Sequence, residues 1–378
     1  MAKKIRLIVN ALPLVTVRSG IARYVHCLYR QLERDYGHSL DIGYFDGKNV
    51  SKTMPTRGAD PQKRGKVLSW FWRLPPLLAL QVRIAQHMKR EFFFQRAAKN
   101  YDVYHEPLLI PFLTKFPIKT IFTIHDLSIM HYPQFHPKER VMFVNRFLPQ
   151  RIGVVDHCLT VSKFTKACVQ KHFGIVADNI SVTPLAHDAS TFYPRPEGEI
   201  REMRERLKLP EQYFLFVGSG DPRKNAAIIP KALQITKSGI ALVFAGWSGW
   251  HDHELVKDNQ CISLGYVSNE DLARLYSGAL ALIFPSIYEG FGLPLLEAMA
   301  CGCPVITTNK ASLPEVAGKA ALYLTDPQNS KELAALLREV IKPDVRQRLL
   351  NNSKKRVSQF SWESTAKKTY EIIKKLSS

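Results

Sequence analysis

No stretch of about 18 uncharged apolar residues occurs in this 378-residue chain, so no segment reads as a membrane-spanning helix. The N-terminus, Met1-Ala2-Lys3-Lys4-Ile5-Arg6, carries the charges of a signal peptide. Its apolar run is short and broken by Asn10 and Pro13, which reads as a buried first strand instead. Cysteine is sparse: six residues (27, 158, 168, 261, 301 and 303) lie scattered in apolar segments rather than in a disulfide framework. That usage fits reduced core residues of a cytosolic protein. No Asp-x-Asp occurs, which argues against a divalent ion clamping a sugar diphosphate. His251-Asp252-His253 lacks the Cys neighbours or helical His spacing of a zinc site and reads as an exposed loop. No bound metal is expected.

Acidic residues are scarce in the first half. Residues 1–186 hold 28 Lys and Arg against 12 Asp and Glu, a net +16, whereas residues 187–378 hold 25 against 21, a net +4. Within 48–99 the count is 12 to 2, interleaved with Trp70, Phe71, Trp72, Leu74, Leu77, Leu78, Leu80 and Phe92 to Phe94. Basic side chains mixed with Trp, Phe and Leu suit an anionic membrane surface, where each Lys or Arg contributes ~1 kcal/mol, and residues 62–96 are expected to bind one peripherally. A solvated basic face over a core helix is the plainer alternative. A nucleic-acid groove is a third, but no recognition module accompanies the charge, and no nucleic-acid partner is expected.

At this length, with 46% hydrophobic residues, two domains are expected. Strands and helices alternate throughout. Strands are predicted at 5–10, 40–45, 103–105, 120–125, 157–161 and 180–183, with helices over 21–35, 75–100, 137–153 and 162–172. The aperiodic, Gly- and Lys-rich stretch 46–69 reads as a mobile loop, and the proline-rich stretch 184–196 as an interdomain linker. The pattern restarts with strands at 213–217, 241–245, 261–264, 281–284, 305–307 and 321–324, and a last helix over 362–376. Such alternation implies two parallel sheets, each wrapped by helices on both faces. Ligands of these folds sit at the carboxyl ends of the strands.

The candidate residues fall there. Phe284 to Asn309 reads as a strand end, a loop with Glu289, a Gly-Phe-Gly-Leu-Pro turn, a helix bearing Glu297 and a second strand. Pro294 sits at the first helical turn, where its missing N–H costs nothing. The unpaired N–H groups there, with roughly half a positive charge from the helix dipole, form a seat for a phosphate or a polarised sugar. After the 213–217 strand, Pro222-Arg223-Lys224-Asn225 puts two cations where a diphosphate would sit, Arg as a fork and Lys as a point charge. Gly20 opens the helix after the first strand and lets a ligand approach the backbone, although a Gly at such a turn is more often structural. His125 leaves the 120–125 strand followed by Asp126. A neutral imidazole there suits a substrate hydroxyl, and a satisfied structural histidine is equally compatible. Leu264-Gly265-Tyr266-Val267-Ser268 is a strand end before a helix, with Ser268 and Asp271 spaced as in a capping box.

These motifs, in this order, resemble the family 4 retaining glycosyltransferases of the GT-B fold: two Rossmann-like parallel-sheet domains facing a central cleft. The resemblance runs from Ser19-Gly20 to the Trp362 helix and is weakest over 46–100. Glu289-Gly-Phe-Gly-Leu-Pro-Leu-Leu-Glu297 is its most specific motif. It implies an acceptor-binding domain over 1–186, a nucleotide-sugar domain over 187–359, and a final helix (360–378) packing back on the first. It implies that Glu297 holds the ribose, Glu289 the donor-sugar hydroxyls, and Arg223 and Lys224 the leaving diphosphate. By the same resemblance His125 would contact the sugar from the other domain, Gly20 would pass close to the phosphates, and the N–H groups of Phe291, Gly292 and Leu293 would complete the seat. Gly265 and Val267 would flank the base. Ser219 stands where many members carry Arg, and Ala22 where many carry a second Gly. The implied reaction moves a hexose, most like mannose from GDP-mannose, from a nucleotide diphosphate sugar to a lipid-linked or saccharide hydroxyl with retained configuration. No cofactor is expected, and the enzyme is expected to be cytoplasmic and peripheral on the inner face of a membrane. A sugar-nucleotide epimerase, or transfer of glucose or GlcNAc from a UDP-sugar, is the alternative.

Overall fold

The structure is a computed structural model that describes residues 3–16, 20–55, 74–246 and 260–377. The chain forms two compact units, one comprising Met1–Leu185 with Trp362–Ser378, the other Ala186–Ser361.

The first unit is built on a seven-stranded sheet. Its strands are β1 (Ile5–Asn10), β2 (Leu40–Phe45), β3 (Val50–Ser51), β4 (Val103–Glu106), β5 (Lys119–Ile124), β6 (His157–Thr160) and β7 (Ile180–Val182), in spatial order β3-β2-β1-β4-β5-β6-β7. All pairs are parallel except the β2–β3 edge hairpin, which falls in the stretch expected to be a loop. A two-residue strand has no periodicity to read. Residues 56–69 of that expected loop lie outside the described residues. The last helix (Trp362–Ser377) packs on the first unit: the rings of Tyr36 and Tyr370 stack at 4.0 Å, and Thr365 Oγ1 donates to Pro184 O. Trp362, Ala366 and Ile373 are buried along its inner stripe.

The second unit holds a six-stranded, all-parallel sheet. It comprises β8 (Tyr213–Val217), β9 (Ala241–Ala245), β10 (Cys261–Gly265), β11 (Ala281–Phe284), β12 (Val305–Thr308) and β13 (Ala321–Leu324), in spatial order β10-β9-β8-β11-β12-β13. Its central strands are apolar on both faces, as a sheet covered by helices on each side requires; all four residues of β11 are fully buried. The strand order reverses between β8 and β11, so the chain segments leaving these two neighbours part to opposite faces and open a crevice at their carboxyl ends.

Two glycines make that edge possible. Gly246, just past β9, has φ +140°, and a Cβ there would lie 1.9 Å from Gly218 O past β8. Gly292 (φ +95°) turns the chain into the helix Leu293–Ala300, where a Cβ would meet Leu313 at 2.7 Å. All six cysteines are free thiols, and Cys158, Cys301 and Cys303 are buried. Among the described residues, no helix is long and apolar enough to cross a membrane.

Candidate active site

In the second unit the segments after β8 and β11 meet. Asp221 caps a short 3-10 turn (Pro222–Lys224), its Oδ1 accepting the Arg223 N–H at 2.9 Å. Arg223 is nearly buried. Its Nη1 donates to Tyr288 O at 2.9 Å and its Nη2 lies 3.4 Å from Asp221 Oδ2. Lys224 Nζ donates to Glu289 Oε1 at 2.6 Å and lies 4.8 Å from the centre of the Phe284 ring. Arg223 Nη1 is 3.9 Å from Glu289 Oε2, so the carboxylate sits between two cations. Only 8% of Glu289 is exposed, which makes this a largely desolvated charge cluster whose members hold one another.

The surrounding loops are pinned by groups with no charge. Asn225 adopts a left-handed conformation (φ 55°) and its Nδ2 donates to Pro285 O and Pro327 O, at 3.3 and 2.7 Å. Ser312 Oγ donates to Glu289 O at 2.8 Å, and Thr308 Oγ1 to Ser286 O at 2.6 Å. Sequence reading gave none of these a role, because each acts through a backbone carbonyl distant in the chain. Asn225 at the end of a Pro-Arg-Lys turn was the available signal, since Asn tolerates the left-handed region.

Phe291, Gly292 and Leu293 are buried at the N-terminus of the Leu293–Ala300 helix, with Pro294 in its first turn. Glu297, on that helix, is buried and accepts from Tyr276 Oη at 3.3 Å. Gly265 ends β10 in a left-handed conformation, and its carbonyl accepts the Gly246 N–H at 2.7 Å; Val267 follows it, half-buried. Ser268 caps the next helix by accepting the Asp271 N–H at 3.0 Å.

In the first unit, Gly20 begins the helix Gly20–Tyr36, is exposed and has open space where a Cβ would stand. Arg18 and Ser19 of that turn lie outside the described residues, as do residues 247–259, which include His251-Asp252-His253. Tyr24, one turn after Gly20, packs edge-on against the ring of His125 at 5.0 Å. His125 Nε2 lies 3.0 Å from Pro107 O. A carbonyl only accepts, so Nε2 carries the proton and Nδ1 is the ring's acceptor. Burial lowers the His125 pKa to about 4, which keeps the imidazole neutral at physiological pH. Beneath it His105 is fully buried, between Tyr29 Oη at Nδ1 and Thr123 Oγ1 at Nε2, both at 2.7 Å. Among the described residues, no group of three or more His, Cys, Asp or Glu is placed to hold a metal ion.

Two family models match the chain: Glycosyltransferase Family 4 over residues 18–191 and Glycosyl transferases group 1 over residues 199–356. The O-antigen chain mannosyltransferase B of Escherichia coli is 34% identical over 326 residues, which span 82% of this chain and 84% of that protein. The chain belongs to glycosyltransferase family 4. The solved structure of a Thermosynechococcus elongatus sucrose-phosphate synthase superposes with a TM-score of 0.76 at 20% identity, covering 99% of each chain. Anabaena Alr3699/HepE in complex with UDP and glucose does so at 0.69 and 18% identity, covering 98% of this chain and 100% of that one. The two doubly wound sheets of this family 4 glycosyltransferase are therefore those of the GT-B fold, and the epimerase alternative is not favoured.

The buried histidines set a pH response. Burial lowers His105 from 6.5 to about 3 and His125 from 6.5 to about 4. Below the unfolded value the unfolded chain binds protons that the folded chain does not. Their stabilisation is therefore complete above about pH 6.5 and is lost as pH falls toward the folded values. Glu106, pushed up from 4.5 to about 7 by burial, acts oppositely, its contribution being complete below about 4.5 and lost as pH rises toward 7. Urea unfolding of His105→Gln between about pH 4.5 and 7.5 is expected to show a shallower loss of stability on acidification than the wild type. Parallel curves for the two proteins would contradict the assignment of a neutral buried His105.

Proposed function

We propose that this glycosyltransferase transfers mannose from GDP-mannose to a hydroxyl of a lipid-linked or saccharide acceptor in surface polysaccharide synthesis, with retention of the anomeric configuration. The convergence of Arg223, Lys224 and Glu289 at the crevice beside β8 and β11 carries the reading. Similarity to an O-antigen mannosyltransferase over most of the chain supports the sugar and the acceptor class.

On this reading the bond from C1 to the phosphate oxygen breaks as the acceptor oxygen bonds C1 on the same face, and the acceptor proton passes to the departing diphosphate. Negative charge grows on that diphosphate, and catalysis rests on preorganised positive charge beside it. The Lys224 ammonium has three donors, so it keeps Glu289 while offering a phosphate oxygen its remaining N–H groups. Arg223, already fixed by Tyr288 O and Asp221, adds charge with little reorganisation. The N–H groups at Phe291 to Leu293 face the phosphate and sugar, with Gly20 beside the phosphates. Glu289 takes sugar hydroxyls, Glu297 the ribose, and the segment from Gly265 to Val267 the base. Neutral His125 accepts from, or donates to, a sugar hydroxyl without adding charge.

The enzyme works at the inner face of a membrane on this reading. The helix Pro76–Ala98 leaves Leu77, Leu78, Met88 and Phe92 exposed beside the exposed Lys89 and Arg96, the mixture an anionic lipid surface takes. The rest of the basic aromatic segment, up to Arg73, lies outside the described residues.

Lys224→Ala is expected to lower turnover of GDP-mannose by ~10²-fold or more, as loss of one preorganised charge partner does. Turnover within about threefold of wild type would remove Lys224 from that role. Co-sedimentation with vesicles rich in phosphatidylglycerol is expected to fall at least about fivefold in Leu77→Ser/Phe92→Ser, with no change on neutral vesicles. Equal sedimentation of variant and wild type would refute membrane docking by this helix.

A further inference from the structure

The first unit holds a buried polar cluster that the proposed reaction leaves unused. Glu106 closes β4 and is completely buried. Its carboxylate accepts Asn10 Nδ2 at 2.9 and 3.2 Å, the Leu108 N–H at 2.7 Å and the Tyr104 hydroxyl. All these donors are neutral, and burial pushes the Glu106 carboxyl up to about 7. An ionisable group held this way costs stability relative to an apolar one, so packing alone does not account for its presence.

The neighbours suggest that reason. Asn10 closes β1, and its Oδ1 accepts the Leu12 N–H at 3.2 Å where the chain turns into the helix Leu12–Thr16. Pro107, between Glu106 and Leu108, offers the carbonyl that takes the Nε2–H of His125. The carboxyl group thereby joins the segments after β1 and β4 where the strand order of this sheet reverses, and Pro107 O ties His125, after β5, to the same turn. Moving the 106–108 turn would move the acceptor that selects the His125 tautomer.

We propose that Glu106 is a positioning residue for glycosyl transfer: it fixes Pro107 O, which holds His125 in the Nε2–H form and leaves Nδ1 as the acceptor toward substrate. This rests on the assignment of His125 to the donor sugar. Glu106→Gln keeps the volume and an acceptor for Leu108, but sets an amide donor against Asn10 Nδ2. Asn10→Asp/Glu106→Gln restores one donor–acceptor pair with its polarity reversed.

The test reads the ring nitrogens of His125 by 15N NMR in the full chain, together with GDP release from GDP-mannose. In the wild type the ring is expected to be Nε2–H. In Glu106→Gln its shifts are expected to move toward a tautomer mixture and kcat to fall about tenfold, with the donor KM within about threefold; the double variant is expected to recover both. Unchanged His125 shifts in Glu106→Gln would overturn the proposal, as would full kcat beside a lowered melting temperature. Should that variant fail to fold, Asn10→Ala removes the same donor, and unchanged shifts there overturn it equally. His125→Ala separates the two levels. Full activity in that variant refutes the role of His125 itself, whereas loss there with full activity in Glu106→Gln refutes only the positioning by Glu106.

Discussion

The reversal of strand order beside the first strand of each sheet is the constraint on which the sites depend. Right-handed crossovers carry the chain to one face after β8 and to the other after β11. The adjacent strand ends therefore point into a space that no crossover fills. In the second unit that space brings Lys224 against Glu289 across 65 residues of sequence. In the first unit the same reversal, between β1 and β4, brings Asn10 against Glu106 across 96 residues. One junction is filled by an ion pair, the other by a carboxyl among neutral donors. The difference decides their chemistry, since the first presents charge and the second holds geometry.

Burying these groups is costly unless each finds partners. Glu289 finds two cations, and Arg223 is itself tied to Asp221 and Tyr288 O. Asn225, Thr308 and Ser312 then hold the loops by their carbonyls, so the charged groups are placed by a frame that carries no charge. Preorganisation of this kind lets electrostatic stabilisation act without reorganisation when charge develops on a leaving group.

Much of the fold was legible in the sequence because buried parallel strands are short, continuous apolar runs with turn residues at their ends. Ala281–Phe284 followed by Pro285 and Tyr213–Val217 followed by Gly218 are read directly. Val50–Ser51 was not, since two residues at a sheet edge carry no pattern. Arg223, Lys224, Glu289 and Glu297 each stood out in a motif, but their grouping did not. The Lys224–Glu289 pair depends on β8 lying beside β11, a fact of topology that neither motif contains. Glu297 turned out to be held by Tyr276, a residue buried in another helix with no motif of its own. Asn10 read only as a break in an apolar run and Glu106 not at all: each is the polar last residue of its strand, and only their adjacency gives them meaning.

The central claim is that Lys224, held by Glu289 at the strand-order reversal, meets the second phosphate of the donor nucleotide. Calorimetric titration of GDP and GMP into the wild type and Lys224→Met tests it most directly. The account predicts that the substitution weakens GDP at least about tenfold and GMP by less than about threefold, because only GDP carries the phosphate that a point charge there would grip. An equal loss for both nucleotides, or none for either, would contradict it.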